Sequence, residues 1–267
     1  MTRYIILIIL LSPLVVCGQD DPTQKQRFLP PVLQHADGLS LHKDMYILPI
    51  TWSKEAHSSE MELNFQVSAK IQLFNKNLYF AFTQKSFWQA YNADDSSPFR
   101  ETNYNPEFFY RIPPGNKWLH NWGADLGIEH ESNGRNLPLS RSWDRVYIRP
   151  YYARENDVFY AKLWHRRSEN PKTNSLDPKG DDNPDIDDYY GAAEWHYMRR
   201  LEDAEIFHLM LRGNTNTGNG AIQISYDMPS NTKEMQYRLM IWHGYGESLI
   251  DYNQRITRVS VGVSIFR

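Results

Sequence analysis

Thirteen residues from Met61 to Leu73 alternate without a break. Met61, Leu63, Phe65, Val67, Ala69, Ile71 and Leu73 fall on one face of an extended chain, and Glu62, Asn64, Gln66, Ser68, Lys70 and Gln72 on the other. Such a run is long for an ordinary strand and about right for one that crosses a bilayer at a tilt. A segment with one apolar and one polar face cannot be buried on both sides. It must be one wall of a larger sheet whose two surfaces meet different solvents.

The same period recurs along the chain. Met45–Ser53, Leu78–Ala90, Tyr104–Ile112, Asp157–Arg167, Gly191–Leu201, Ala204–Asn214, Ala221–Met228, Met235–Gly244 and Ile256–Phe266 all read as strands, and Phe108 and Tyr110 are expected on the outer face. Short turns (NKN after Leu73, Glu155-Asn156, Glu202-Asp203) alternate with longer polar loops such as NADDSSPFRETN, SENPKTNSLDPKGDDNPDIDDYY and TNTGNG. About twelve strands with alternating short and long connections predict an all-β chain, a twelve-stranded antiparallel transmembrane β-barrel. A soluble sandwich also alternates, but it does not call for strands this long or for the short-long rhythm.

Composition agrees where it bears on this. A mean hydropathy of -0.64 suits a barrel whose lipid-facing half is diluted by a polar lumen, and a net charge of -3 on 267 residues gives no sign of nucleic-acid binding. Met1–Gly18, with Arg3, a short apolar run and a small final residue, reads as a secretory signal. Residues 19–44 read as a Pro-containing N-terminal arm and 45–267 as the barrel. The one cysteine, Cys17, lies inside the signal, so no thiol chemistry is expected of the exported chain.

Chemistry concentrates in WGADLGIEHESNGRNLPLSRSWDRVYIRPYY, Trp122 to Tyr152. Its first limb places Ile128, His130 and Ser132 on the apolar face, and its returning limb places Asp144, Val146 and Ile148 there. If His130 stands opposite Asp144, then Glu129 meets Arg145 and Asp125 meets Arg149 on the polar face, while Ile128 meets Val146 and Leu126 meets Ile148 on the other. A slip of one residue would set apolar against polar throughout. His130 and Ser132 are two apart on a strand, roughly 6.6 Å between Cα atoms and pointing the same way, so imidazole can take the serine proton while Asp144 fixes its tautomer. His-X-Ser alone is a weak signal, and a rim histidine beside a loop-start serine is the bland alternative.

The segments SSPFRETNYNPEFF, HESNGRNLPLSRSWDRVY, GDDNPDI and GYGESLIDYN resemble the outer-membrane phospholipase A family, from about Leu41 to the C-terminus. That resemblance implies a calcium-dependent enzyme of the outer membrane. It would hydrolyse phospholipid acyl esters at the A1 and A2 positions through a lipid-facing site near the extracellular leaflet, and it would be activated by forming a homodimer. It implies Ser132 as nucleophile and His130 as base; the third residue is usually Asn in the family and is Asp144 here. It further implies calcium contacts at the Arg135 carbonyl, Ser140 and Ser96 of the partner subunit, and a further calcium position of the unassembled protein at Asp182. Gln84, an amide on the face of Phe80, Phe82 and Trp88, suggests where a second copy would dock. The rival readings are a non-enzymatic pore or scaffold barrel and a soluble secreted esterase.

Overall fold

A computed structural model describes residues 28–53, 61–74, 76–115, 120–232 and 234–265. The segment read as a secretory signal and Phe266 therefore lie outside the described residues. The strands are β1 (Leu39–Leu41), β2 (Met45–Ser53), β3 (Leu63–Leu73), β4 (Leu78–Trp88), β5 (Phe99–Ile112), β6 (Trp122–Ser132), β7 (Ser142–Arg154), β8 (Asp157–Arg166), β9 (Ala193–Arg200), β10 (Ile206–Gly213), β11 (Gly220–Pro229), β12 (Met235–Gly244) and β13 (Ile256–Ile265). Each neighbour from β2 to β13 is antiparallel, and β13 pairs back onto β2, so twelve strands close into a barrel with no free edge. Among the described residues no helix is long and apolar enough to cross a membrane.

The two faces carry opposite chemistry. Ile47, Ile50, Val67, Phe82, Phe108, Tyr110, Ile128, Val146, Tyr237 and Val261 are exposed on the outer surface in period-two alternation, which breaks once in β2, where a register shift opposite Val261 and Val263 puts both Ile47 and Ile50 outside. The inner surface buries Lys70, Arg111, Arg149, Arg238 and Arg258. None of the four guanidiniums is left bare: Arg111 holds Asp125 bidentately at 2.8 Å, Arg238 holds Asp227, Arg258 holds Glu247 and Glu62, and Arg149 bridges Asp125 and Glu107. Burying cations costs several kcal/mol each unless they are paired and hydrogen-bonded; each guanidinium here has a carboxylate, whereas Lys70 has only the carbonyls of Pro31 and Leu41. The network leaves a polar lumen cavity of about 220 Å³.

Two features of the wall depart from the sequence reading. The polar stretch before Tyr104 belongs to the sheet: β5 begins at Phe99, with Glu101 and Asn103 buried. The chain before Met45 also joins the wall, because β1 pairs with the lower part of β3 (Leu39 opposite Ile71), and a register change of two residues then turns His42, Lys43 and Asp44 inward. His42 and Lys43 both reach Glu107 at 3.0 Å, and Asp44 reaches Arg238 at 2.8 Å. Upstream of β1, Val32 and Leu33 are buried against Tyr151, Val158 and Ile206, and the carbonyls of Val32 and Gln34 accept bonds from Arg111. The arm is thus a stopper in the lumen.

The small inner residues of β6 have a packing role. A Cβ on Gly123 would sit 2.2 Å from the Tyr151 ring, and one on Gly127 would sit 2.6 Å from that of Tyr147. The tyrosines opposite them on β7 fold across the glycines, and only a residue without a side chain leaves that room. The long connections share one end of the barrel. There the loop after β8 carries α1 (Ile186–Tyr190), a helix absent from the sequence reading, which buries Ile186 and Tyr190 against Trp143, Trp164, Leu249 and Tyr252.

Candidate active site

β6 and β7 pair in the register that charge and apolarity dictate. His130 faces Asp144, Glu129 faces Arg145, Asp125 faces Arg149, Ile128 faces Val146 and Leu126 faces Ile148. On the inner side Arg145 bonds Glu129 at 3.0 Å and Glu131 at 2.8 Å, and Lys162 of β8 reaches Glu129 at 2.6 Å. On the outer side His130 Nδ1 lies 2.8 Å from Asp144 Oδ1, with the two side chains 45% and 39% exposed. A ring whose Nδ1 is held by a carboxylate keeps Nε2 free to accept a proton.

Ser132 follows His130 on the same face, opposite Ser142 of β7 and beside Tyr104 of β5. Among the described residues no hydrogen bond joins its hydroxyl to the imidazole. Such contacts are often long before substrate tightens them. The structure therefore brings two of the three candidates into direct contact and seats the third two residues along the same strand.

The Asp144 carboxylate has a second neighbour. Arg167 Nη1 lies 3.6 Å from Oδ2, and the Arg167 backbone N–H donates to the Asp144 carbonyl at 2.8 Å. Two clefts meet at this cluster. One, about 370 Å³, has apolar walls of Pro106, Phe108, Ile128 and Val146; the other, about 640 Å³, is polar and lies under the loop from Ser168 to Gly180. His130, Asp144 and Arg167 line both. An amphiphile could lay its hydrocarbon in the first and its polar part in the second.

Of the residues expected to contact calcium, Ser140 and Asp182 touch each other. Ser140 and Ser142 both donate to Asp182 Oδ2, at 2.6 and 3.4 Å, and Lys172 pairs with the other oxygen. Buried Asn183 takes the Ser142 N–H at 3.1 Å and so pins this acidic loop to β7. Arg135 lies on the same β6–β7 connection as Ser140, its side chain tied to Glu101 at 3.1 Å, and buried Asn133 accepts the backbone N–H groups of Arg135 and Arg141. Ser96 lies on the β4–β5 loop in a left-handed conformation, φ 62°, and no contact among the described residues joins it to Ser140 or Asp182. Hydroxyl, carbonyl and carboxylate oxygens are the donors a hard cation takes. Among the described residues no group of three or more His, Cys, Asp or Glu could hold a metal alone, so oxygens from outside such a cluster would be required. Burial and the negative charges of Asp181, Asp144 and Asp182 hold the Glu169 carboxyl above its ordinary range, a field that a cation would relieve.

The residues sequence reasoning missed are Asn133, Arg167, Lys172 and Asn183. Each acts through a contact between loops, for which neither period nor spacing gives a sign. Gln84 Nε2 donates to Ser86 Oγ at 3.2 Å on the same strand.

The family profile described as Phospholipase A1 matches residues 33–265. A phospholipase A1 of Escherichia coli strain K12 is 36% identical over 223 residues, covering 80% of this chain and 72% of that protein. A putative phospholipase A1 of Neisseria meningitidis serogroup B is 33% identical over 258 residues, covering 85% and 65%. Among solved structures, the outer membrane phospholipase dimer of Salmonella typhi with bound calcium superposes with a TM-score of 0.75 at 32% identity, covering 88% of this chain and 95% of that one. The Escherichia coli outer membrane phospholipase A gives 0.75 at 32% identity, covering 85% and 98%.

Proposed function

The chain belongs to the phospholipase A1 family, and on that premise we propose that it is an outer-membrane enzyme hydrolysing the acyl esters of phospholipids, at the A1 and A2 positions, with Ser132, His130 and Asp144. The observation that carries this is the 2.8 Å contact of His130 with Asp144 on a strand face it shares with exposed Ile128 and Val146. A proton-transfer pair on the hydrocarbon side of a barrel has an obvious substrate in the bilayer itself. The loops at that end are the long ones, which in such barrels face the exterior, so the site belongs near the extracellular leaflet.

In the chemical step Ser132 Oγ attacks the ester carbonyl while His130 Nε2 takes its proton. Asp144 accepts the Nδ1–H bond and steadies the imidazolium that forms. His130 then gives the proton to the departing lysophospholipid oxygen. Water, deprotonated by the same imidazole, releases the fatty acid from the serine ester. Calcium would be held by Asp182, which Ser140 touches, in the unassembled protein, and by the Arg135 carbonyl, Ser140 and Ser96 of the partner subunit in the dimer. Bound there, it would supply positive charge to the oxyanion. The relative crystallised as a calcium-bound dimer supports both the ion and the assembly, and the outer face around Gln84 is the surface proposed for the second copy. A lumen filled by ion pairs and the N-terminal arm argues against a pore.

The test is fatty-acid release from phospholipid–detergent micelles, with calcium and with a chelator, beside Ser132→Ala. The expected result is release that needs both calcium and the hydroxyl. A parent protein silent under all conditions, or a Ser132→Ala protein as active as the parent, would end this reading.

A further inference from the structure

The carboxylate of Asp144 stands where a charge is hardest to keep. It is on the outer face of a transmembrane strand, between Val146 and the mouth of an apolar cleft. Two groups divide its oxygens: Oδ1 faces His130 Nδ1 at 2.8 Å, and Oδ2 faces Arg167 Nη1 at 3.6 Å. The second contact is not a chance meeting of long side chains. The Arg167 amide is bonded to the Asp144 carbonyl, so the guanidinium is hung from the very residue it accompanies. β8 ends one residue earlier, at Arg166, which fixes where Arg167 leaves the sheet.

We propose, on the reading of the site given above, that Arg167 is a positioning residue. Its guanidinium holds the free oxygen of Asp144, keeps the other on His130, and supplies the positive charge that lets a carboxylate face lipid in the resting enzyme. Arginine suits such a position because it stays charged, is weakly hydrated for a cation, and can lay its aliphatic stem along apolar surface while its head sits among headgroups. An exposed pair in water contributes little, and at 77% exposure Arg167 would be such a pair in a soluble protein. Beside the bilayer, the water that would screen it is displaced by hydrocarbon on one side. The opposing account is that Arg167 points at the substrate phosphate and meets Asp144 incidentally.

The two accounts separate in a four-protein cycle of the parent, Arg167→Gln, Asp144→Asn and the double variant. All are full-length, refolded in phospholipid–detergent micelles at saturating calcium, with the folded fraction read from gel mobility. If Arg167 serves Asp144, Arg167→Gln lowers kcat about fivefold, the rate equivalent of about 1 kcal/mol, and leaves KM within about twofold. In the Asp144→Asn background, where no charge needs a partner, the same change moves kcat less than about twofold. Arg167→Lys restores most of the loss, because the charge returns. An equal loss in both backgrounds, a loss confined to KM, or no loss in the parent overturns the proposal. Ser132→Ala runs alongside: if it is silent while the cycle is flat, only the role of Arg167 fails, whereas an active Ser132→Ala removes the site on which that role rests.

Discussion

Asp125→Ala tests the claim that the lumen holds the barrel together by charge pairing. Asp125 is fully buried and serves two cations, Arg111 through two bonds of 2.8 Å and Arg149 through one of 3.0 Å. Arg149 keeps Glu107 at 3.1 Å when Asp125 is lost, but Arg111 keeps no carboxylate, only the backbone carbonyls of Val32 and Gln34 and the rings of Tyr79 and Phe109. One buried guanidinium is therefore left without a counter-charge, and removing one partner of such a pair costs about 3–5 kcal/mol. Asp125→Asn keeps an acceptor and should cost about 2 kcal/mol. Pairing Asp125→Ala with Arg111→Met should recover part of the loss, since an apolar side chain needs no partner. Urea titration of the refolded protein in lipid vesicles, followed by tryptophan fluorescence, measures all three. Activity per folded molecule should be unchanged, because Asp125 lies on the face of β6 opposite His130. A shift below about 1 kcal/mol for Asp125→Ala would mean that water reaches Arg111 and that the lumen is not a closed network.

Asp144→Asn should keep fatty-acid release within about tenfold of the parent, because an amide oxygen still accepts the imidazole N–H, while Asp144→Ala should lose on the order of 100-fold; initial rates in micelles distinguish the two, and an Asn variant as poor as the Ala variant would refute the orienting role. Asp182→Asn should weaken calcium binding by the unassembled protein about tenfold without changing the folded fraction, as one charged oxygen is lost from a hard-cation site; a calcium titration of the monomer reads it. Gly127→Val should destabilise the barrel by about 3 kcal/mol, since its side chain would occupy the Tyr147 ring, and Tyr147→Ala in the same protein should relieve only part of it, because the Phe108 carbonyl oxygen stays 2.8 Å from the added Cβ; urea midpoints provide the check. Gln84→Lys should shift the assembly to monomers and lower activity at dilute protein, because a two-fold contact would bring the new charge against its own copy; cross-linking at fixed detergent measures the shift.

The parts of this protein legible in its sequence are those governed by a period of two. β3 and β13 each oppose apolar to polar residues without interruption, and the β6–β7 register follows from matching charge to charge across the hairpin. What stays hidden has a common cause: a lumen face made of Glu101, Asn103 and Asn105 has the composition of a loop. The first third of β5 therefore reads as one. The inward turn at His42–Asp44 is invisible for the same reason, being a polar segment whose partners lie 60 or more residues away. α1 offers only Ile186 and Tyr190 as apolar anchors in an acidic stretch, too few to show a helical period. At the site, register reveals His130 and Asp144 but not Arg167 and Asn183, because each of the latter depends on where a long loop returns.

The site and the lumen are two sides of one constraint. Along β6, Asp125, Gly127, Glu129 and Glu131 face inward in alternation with Leu126, Ile128 and His130 facing out. A slip of one residue against β7 would exchange the faces of every pair at once. Inside, that slip would take Glu129 from Arg145 and Asp125 from Arg149, stranding buried charges at several kcal/mol each. Outside, where apolar side chains meet lipid, little energy distinguishes one register from the next. The placement of His130 against Asp144 is therefore enforced mainly from the far side of the strand. A surface that must remain apolar enough to sit in a membrane cannot specify its own register, and this chain assigns that work to ion pairs that never touch the substrate.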